Sequence, residues 1–269
     1  MKATEKELKR GKLASRNLSA ASETLRTKGF VVLEGIVPKE LLKEVRDAMV
    51  SVHQHFFRQH PRSPLAEHSH GKGHGIFGVA PPQEMPFMDP LIVANPIALQ
   101  VVEEVLGEDF FCDFYNTNNS WPGSRAQHVH RDSDPLFENL PIALPASAVV
   151  TSIPLVPFTV ATGATQVWPG THLYPGPYPD ETKSFDVWAP DRPSAPMLAP
   201  LGSIVLRDPR MWHCGMPNKT KRVRTMLTVS YRHSLLGRNR TRTLVMRRDV
   251  WSQLPSEGQH VFRFSQVGS

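Results

Sequence analysis

The hydrophobic pattern of this 269-residue chain changes character near Asp109. Before that residue, apolar side chains recur at three- and four-residue spacing, as between Leu41 and Val52, which is typical of amphipathic helices. After it, short runs rich in β-branched and aromatic residues alternate with turn residues, which is typical of strands. Helices first and many strands afterwards predict a mainly β fold with N-terminal helices, an α+β class with a sandwich or barrel core.

Three helical segments and one short buried strand are predicted before Asp109. The helices are residues 5–28, 39–57 and 96–106, and the strand is residues 30–33. Pro38 favours a helix start, and Gly107 favours a helix end. Residues 60–90 are rich in His, Pro and Gly without periodicity, which predicts a long loop that serves as a lid. His68, His70 and His74 in that loop are expected to face solvent or substrate.

The second half of the sequence predicts short strands separated by turn signals. The candidates are residues 110–116, 127–132, 148–155, 165–168, 203–207, 211–215 and 224–231. No internal repeat and no sharp linker divides the chain, which favours a single domain.

Cysteine usage narrows the metal chemistry open to this chain. Cys112 and Cys214 are the only cysteines, and neither belongs to a Cys-x-x-Cys pair. Disulfide scaffolds and thiolate zinc sites are therefore excluded. Any bound metal would have His and carboxylate ligands.

The longest stretch without a charged side chain is residues 139–179. Prolines interrupt its first half, so no helix of the roughly 20 residues that cross a bilayer is expected. No apolar segment near Met1 resembles a signal peptide. The sequence therefore predicts a cytoplasmic protein that does not contact a membrane.

Basic residues outnumber acidic ones by six, and they concentrate between Lys219 and Arg248, where no acid occurs. A nucleic-acid surface is one interpretation of this segment. The charges lack interleaved aromatic residues and a helix-turn-helix pattern, so a solvated basic face near an anionic small-molecule site is favoured.

The densest polar run is QHVHRDSD at residues 127–134. Residues two apart on a straight strand point the same way, about 6.5 Å from one another. One face of this segment would then carry His128, His130, Asp132 and Asp134. Each of these groups needs a partner once buried, so the run indicates a metal site more than a structural core.

Three metal-binding families use comparable runs. A di-zinc hydrolase of the metallo-β-lactamase type requires HxHxDH, and Ser133 stands where the last His is needed. A cupin requires a further Glu and a distant His at spacings that the sequence does not display. The facial triad of non-haem iron oxygenases requires His-x-Asp and one distant His. His213 supplies that residue, and Arg224, eleven positions later, supplies a cation for the far carboxylate of a 2-oxoacid.

Three motifs carry a resemblance to a known family. Q-x-x-H-x-D stands at Gln127, His130 and Asp132, and H-x-G-x-x-N with a following Arg stands at His213, Asn218 and Arg224. Between them, N-G-A-x-x-x-x-P-G-S-H stands at residues 162–172, with Thr162 and Thr171 in place of the customary Asn and Ser. On these motifs the sequence resembles the phytanoyl-CoA dioxygenase family of iron(II)/2-oxoglutarate-dependent oxygenases, over nearly its whole length.

The resemblance implies a fold and a domain organisation. The fold is a double-stranded β-helix, or jelly roll, with the metal inside one open end. The whole chain, residues 1–269, would be one dioxygenase domain. Its helical brace would span about residues 1–108 and its jelly-roll core about residues 109–250.

The same resemblance implies a set of site residues and cofactors. Iron(II) would be bound by His130, Asp132 and His213. The co-substrate 2-oxoglutarate would be held by Arg224, with Gln127 and Thr165 as neutral donors, and O2 would be the second co-substrate. His172 is expected to be structural. His128 and Asp134 are expected to orient a ligand or to line the substrate mouth.

The activity that follows is oxidation, by hydroxylation in the simplest case, of an unactivated C–H bond of a small organic molecule. Specialised metabolism is the favoured setting, with succinate and CO2 as co-products. Asp132 occupies a position that halogenases leave without a carboxylate, so halogenation is disfavoured. A fatty acyl-CoA or another lipid-like molecule is the alternative substrate, and a basic nucleic-acid-binding jelly roll without catalysis is the alternative function. A homodimer rests on the resemblance alone.

Overall fold

A computed structural model describes residues 1–59, 75–134, 136–137, 140–174, 185–236 and 244–268. These residues form a mixed fold of helices and antiparallel sheet. The helices are α1 (Glu5–Arg10), α2 (Ser15–Lys28), α3 (Lys39–Gln59), α4 (Pro90–Val93), α5 (Pro96–Leu106), α6 (Phe185–Trp188), α7 (Arg248–Gln253) and α8 (Ser256–Val261). Short 3-10 turns occur at Thr171–Leu173, Ala189–Asp191 and Ser234–Leu236.

The strands are shorter and more numerous than the helices. They are β1 (Phe30–Leu33), β2 (Ile76–Phe77), β3 (Phe110–Ser120), β4 (Ala148–Pro154), β5 (Gln166–Val167), β6 (Ala195–Pro196), β7 (Ile204–Arg207), β8 (His213–Cys214), β9 (Arg224–His233), β10 (Val245–Arg247) and β11 (Gln266–Gly268).

The N-terminal helices begin and end at residues whose chemistry explains the boundary. Thr4 caps α1, with Glu7 completing a capping box, and Gly11 ends that helix in the left-handed conformation. Asn95 caps α5 and accepts hydrogen bonds from the first-turn amides, and Pro96 follows at the first helical position. The predicted helix over residues 96–106 is therefore confirmed.

A six-stranded antiparallel sheet carries most of the fold, in the order β1-β7-β4-β9-β3-β2. Side chains alternate between its faces, so Val149, Leu227 and Val229 enter one hydrophobic core with the N-terminal helices, including Leu42 and Val101. The opposite face lines a cavity of about 850 Å³. The predicted strand at residues 30–33 is confirmed as β1, which pairs with β7 at the sheet edge.

A second sheet, in the order β6-β5-β8, faces the first across the cavity. A cluster that includes Phe158, Val167, Val205 and Met211 closes one end of the space between the sheets. The remaining strands β10 and β11 pair in parallel near the C-terminus. Within the described ranges, no helix is both long and apolar enough to cross a membrane.

Three sequence predictions are wrong in part. The helix predicted over residues 5–28 is two helices, because Gly11 ends α1 in the left-handed conformation and α2 begins at Ser15. Residues 127–132 do not form a strand; only His130 makes an isolated bridge, to His213. The predicted loop over residues 60–90 contains β2, which pairs with β3 because Ile76 and Phe77 are fully buried apolar residues. Residues 60–74, with His68, His70 and His74, lie outside the described part of the chain.

Candidate metal centre

His130, Asp132 and His213 come together on the cavity wall. Their potential ligand atoms all lie within 4.8 Å of one another. Nε2 of His130 lies 3.8 Å from Oδ1 of Asp132, and Nε2 of His213 lies 3.4 Å from Oδ2 of the same carboxylate. Two imidazoles and one carboxylate on one side of a cavity are the donor set that non-haem iron sites use.

The ring orientations of both histidines are fixed by backbone carbonyl groups. Nδ1 of His130 lies 2.8 Å from the carbonyl oxygen of His128, and Nδ1 of His213 lies 3.0 Å from that of Met211. A carbonyl oxygen only accepts, so these contacts assign the proton to Nδ1 in each ring. Nε2 of each ring is left facing Asp132, and in the neutral ring this is the nitrogen that binds a metal.

Backbone hydrogen bonds join the ligand segment to β8 and the residues before it. His130 and His213 exchange two N–H···O bonds of 2.9 Å, and the Asp132 N–H donates to Pro209 at 2.8 Å. The Gln127 N–H donates to the Gly215 carbonyl. In a regular antiparallel ladder that pairs His130 with His213, His128 would make this bond, so the register is shifted by one residue. This slip is the reason that the segment is not a strand, and of its four candidate ligands His130 and Asp132 join His213 in the triad.

The electrostatics of the site favour a metal-ready state. Burial, with a further contribution from His213, lowers the pKa of His130, which keeps its imidazole neutral. Burial opposes ionisation of Asp132, but His213 and Arg207 outweigh it and hold the pKa of that carboxyl well below its usual value. The His130 imidazole and the Asp132 carboxylate are thus held in the protonation states that bind a metal cation.

Arg207, at the end of β7, is a site residue that the sequence reasoning missed. Its guanidinium donates from Nη2 to Oδ2 of Asp132, and Nη1 lies 3.2 Å from Nδ1 of His213. Since the His213 Nδ1 proton already points to Met211, the second contact is a close approach and the first is the hydrogen bond. The signal available in the sequence was a lone arginine ending the apolar run Ile204–Arg207.

Arg224 lies at the start of β9 and faces the same cavity. Its side chain makes only long hydrogen bonds, to Oδ1 of Asn118 at 3.3 Å and to the Gly163 carbonyl at 3.4 Å. Its Nε has no partner, and no carboxylate of the described residues pairs with it. Burial lowers the pKa of Arg224 to about 10, so the group stays cationic at neutral pH. A buried cation without a counter-charge requires an anionic ligand to be satisfied.

Gly163 has to be glycine for this arrangement to form. Its φ is +76°, and a Cβ there would lie 2.4 Å from the Met216 carbonyl oxygen. Thr162, which replaces the Asn of the family motif, restores the turn by accepting from the Thr159 N–H at 2.9 Å and donating to the Pro157 carbonyl at 2.9 Å. The motif therefore holds a backbone carbonyl against Arg224.

The two neutral donors predicted near the co-substrate both line the cavity. The Gln127 side-chain oxygen accepts from the Gly215 N–H at 2.9 Å, so the amide nitrogen of Gln127 is the group left to donate to a ligand. Thr165 lies nearly buried on the same wall. Their predicted role toward 2-oxoglutarate stays a prediction.

The other polar residues of the motif segments are not part of the triad, although His128 lines the same cavity, as expected. Nδ1 of His128 lies 2.8 Å from Asp186 Oδ2, and Asp134 pairs with Arg131 while its side chain is 89% exposed. His172 is buried, with Nε2 2.9 Å from the Arg26 carbonyl. Among the described histidines and carboxylates of these motifs, three alone form the candidate centre.

Comparison with known proteins agrees with this geometry. The sequence model of the phytanoyl-CoA dioxygenase (PhyH) family matches residues 25–226. Dioxygenase trt7 of Aspergillus terreus is 27% identical over 149 residues, which cover 52% of this chain and 48% of that protein. Dioxygenase aneA of Aspergillus aculeatus is 25% identical over 217 residues, covering 74% and 66%. The chain thus spans about half to two thirds of the length of these two relatives.

Solved structures with a similar fold include non-haem α-ketoglutarate-dependent enzymes. The epimerase SnoN from nogalamycin biosynthesis aligns with a TM-score of 0.61 at 19% identity, covering 82% of each chain. The carbocyclase SnoK from the same biosynthesis aligns with a TM-score of 0.60 at 19% identity, covering 82% of this chain and 85% of SnoK. A family match that spans most of the chain, together with the triad and Arg224, identifies this protein as a member of the phytanoyl-CoA dioxygenase family.

Proposed function

We propose that this protein is an iron(II)- and 2-oxoglutarate-dependent dioxygenase that oxidises a C–H bond of a small organic molecule. The observation that carries the proposal is one cavity that holds a two-histidine, one-carboxylate centre and a buried arginine to which the described residues offer no counter-charge. The first fits iron(II), and the second fits the distal carboxylate of 2-oxoglutarate. The family match supports both assignments.

The residues present fit the absent groups by donor chemistry. His130, Asp132 and His213 would hold the iron ion, and Arg224 would hold 2-oxoglutarate, with Gln127 and Thr165 as further donors. When bound, iron(II) with 2-oxoglutarate and O2 supplies the oxidising power, with succinate and CO2 as co-products. One neighbour, SnoN, has been solved with Fe3+ and α-ketoglutarate, which supports this choice of cofactors.

Residues around the triad orient the metal ligands and recognise the co-substrate. The carbonyl groups of His128 and Met211 keep the ligand nitrogens aimed at one point. Arg207 occupies one oxygen of Asp132, which leaves the other for the metal. Arg224 lines the same cavity as the triad and would bind the distal carboxylate of the co-substrate, since a guanidinium binds carboxylates by paired donors.

The proposal includes a fold and a domain organisation. The two facing sheets would form a jelly roll, and residues 1–269 would form one dioxygenase domain. The small-molecule substrate belongs to specialised metabolism, the setting of SnoN and SnoK, which both act in nogalamycin biosynthesis. The cavity of about 850 Å³ accommodates a multi-ring molecule beside 2-oxoglutarate. A cytoplasmic location, a homodimer and the lack of a nucleic-acid partner stay predictions.

The test is spectroscopic and uses a matched pair of variants. Anaerobic addition of iron(II) and 2-oxoglutarate to the wild type should produce the weak visible charge-transfer band of a chelated 2-oxoacid. Asp132→Ala should abolish the band, whereas Asp134→Ala, two residues away and exposed, should retain it. A wild-type protein without the band, or an Asp132→Ala protein that retains it, would disprove the proposed centre.

A further inference from the structure

An arginine stands at each end of the β9 face that lines the cavity. Arg224 begins the strand, and Arg232 lies eight residues later, so strand alternation turns both toward the same space. Met226, Thr228 and Ser230 lie between them on this face. The two arginines differ in one respect: Arg224 has no carboxylate partner in the described residues, and Arg232 has one.

The partner of Arg232 is Asp113, and a β-bulge brings it there. Nε of Arg232 donates to Oδ2 of Asp113 at 2.6 Å. The β3–β9 register shifts between Cys112 and Phe114, so Asp113 is the extra residue of the bulge. A bulge re-aims the inserted side chain, and Asp113 lines the cavity beside Phe114.

The remaining donors of Arg232 are left for a ligand. Nη1 and Nη2 have no hydrogen-bond partner among the described residues, and the side chain is 31% exposed within the cavity. A guanidinium only donates, so this position binds an acceptor oxygen. An added anion would meet the Asp113 carboxylate, and the ion pair already balances the arginine charge. A neutral acceptor, such as a carbonyl oxygen, is therefore favoured over a carboxylate or phosphate.

The position of this pair relative to the metal centre sets the size of the ligand. The ladder aligns Arg207 with Val150 and Val150 with Ser230, and Arg232 lies two residues beyond Ser230. Strand spacing and rise therefore place the Arg232 backbone about 12 Å from that of Arg207, whose guanidinium contacts Asp132. Apolar side chains, among them Phe114, Val150 and Leu236, line the same cavity.

We propose that Arg232, held by Asp113, is a specificity-determining residue that binds a carbonyl oxygen of a neutral, polycyclic substrate. The substrate's ring body would then extend from this anchor toward the triad. Calling this ligand the substrate rests on the proposed function, but binding of the ligand to Arg232 requires neither iron nor turnover.

The test compares three probes of one ring skeleton on the full chain without added iron and in saturating 2-oxoglutarate, so that Arg224 is occupied and does not bind the anionic probe. They are α-tetralone, which has a neutral carbonyl, tetralin, which has none, and the tetrahydronaphthoate anion. Ligand-observed NMR titrations should give the wild type about tenfold tighter binding of α-tetralone than of either other probe.

Asp113→Asn should reverse part of this preference. The variant keeps Arg232 and the shape of the pair but removes the balancing charge, so binding of the tetrahydronaphthoate anion should improve at least tenfold relative to α-tetralone. Asp249→Asn is the matched control, because Arg247 donates to Asp249 from Nε at 3.0 Å outside the cavity lining. It should leave all three affinities unchanged.

Equal binding of the three probes by the wild type, or no binding of any, would overturn the assignment. So would an Asp113→Asn protein with the wild-type preference. These outcomes are separate from the charge-transfer test of the metal centre, which uses no substrate probe and leaves Asp113 and Arg232 unaltered.

Discussion

The two walls of the cavity are built in different ways. The wall formed by the six-stranded sheet rests on long pairings, since β9 joins β3 over almost its full length and β4 over seven residue pairs. The wall that holds the candidate ligands includes β8, which has only two residues, and the segment at residues 127–134, which is bonded in a slipping register. One wall is a regular β-ladder, and on the other wall each ligand residue is held by its own hydrogen bonds.

This difference teaches how each wall places its functional groups. On the ladder, alternation alone turns Arg224, Thr228 and Arg232 toward the cavity, so the spacing of the sequence determines their positions. On the ligand wall, alternation would have grouped His128 with His130. Of the two, His130 joins the triad and His128 contacts Asp186. Each ligand is held by its own carbonyl or guanidinium contact.

The largest effect should come from breaking the ligand wall at one residue. His130→Ala removes a nitrogen that no neighbour replaces, so iron-dependent succinate formation should fall at least 1,000-fold, about 4 kcal/mol of lost stabilisation. His128→Ala is the control, because the His128 side chain is 80% exposed and its carbonyl, which orients His130, survives the substitution. Comparable losses in both variants would contradict the separation of these two histidines.

Arg224→Met should break the ladder wall with a smaller but distinctive effect. Loss of a charge-assisted, paired contact should raise the KM for 2-oxoglutarate about 100-fold, with iron affinity unchanged. The buried guanidinium lacks a counter-charge before co-substrate binds, so the variant without ligands should also have a Tm a few degrees above that of the wild type. Titration and thermal scans measure the two effects, and an unchanged KM would exclude Arg224 as the carboxylate anchor.

The contrast between the walls also explains what could be predicted from the sequence. Periodicity predicted α5, β1 and β4 well, because burial on one face leaves a regular pattern. Residue types and spacing were enough to select His130, Asp132, His213 and Arg224, which the structure brings to one cavity.

What could not be predicted depends on contacts between segments distant in sequence. The conformation of residues 127–134 follows from bonds to Pro209, His213 and Gly215, and a register slip leaves no trace in local composition. Arg207 has no motif of its own, and its role appears only where β7 meets Asp132. The same holds for Asp113, whose orientation depends on a bulge in the β3–β9 ladder.

Arg207→Met should sharpen the comparison, because Arg207 reaches from the ladder wall to the ligand wall. Its loss leaves the partly exposed Asp132 carboxylate without its cation and should destabilise the metal-free protein by about 1–2 kcal/mol at pH 7. The folded-state pKa of Asp132 is depressed, so this stabilisation is present above the ordinary value of 3.8 and is lost as the pH falls below it. Urea unfolding at several pH values measures it, and a pH-independent difference would exclude the ion pair as its cause.

Glu7→Gln should give the smallest effect and tests a carboxylate held by neither wall. Glu7 accepts four hydrogen bonds of 2.8 Å, two from Thr4, one from the Ala14 N–H and one from Asn17, which lower its pKa from 4.5 to about 2. The substitution should cost about 1 kcal/mol at pH 7, and the difference should shrink as the pH falls from 4.5 toward 2. Glu5→Gln, at an exposed position of the same helix, should change stability by less than about 0.5 kcal/mol in urea titrations.

The pairing of β1 with β7 sets an order of events for a chain leaving the ribosome. Phe30 aligns with Arg207, so the edge that joins the N-terminal helices to the sheet cannot close until more than two hundred residues have been synthesised. The central strands β4 and β9 meet late for the same reason. Such long-range pairing gives a high contact order and predicts slow folding. Until β7 is available, the backbone N–H and C=O groups of β1 stay unpaired. Nascent chains of this protein should therefore depend on chaperones more than their size alone implies.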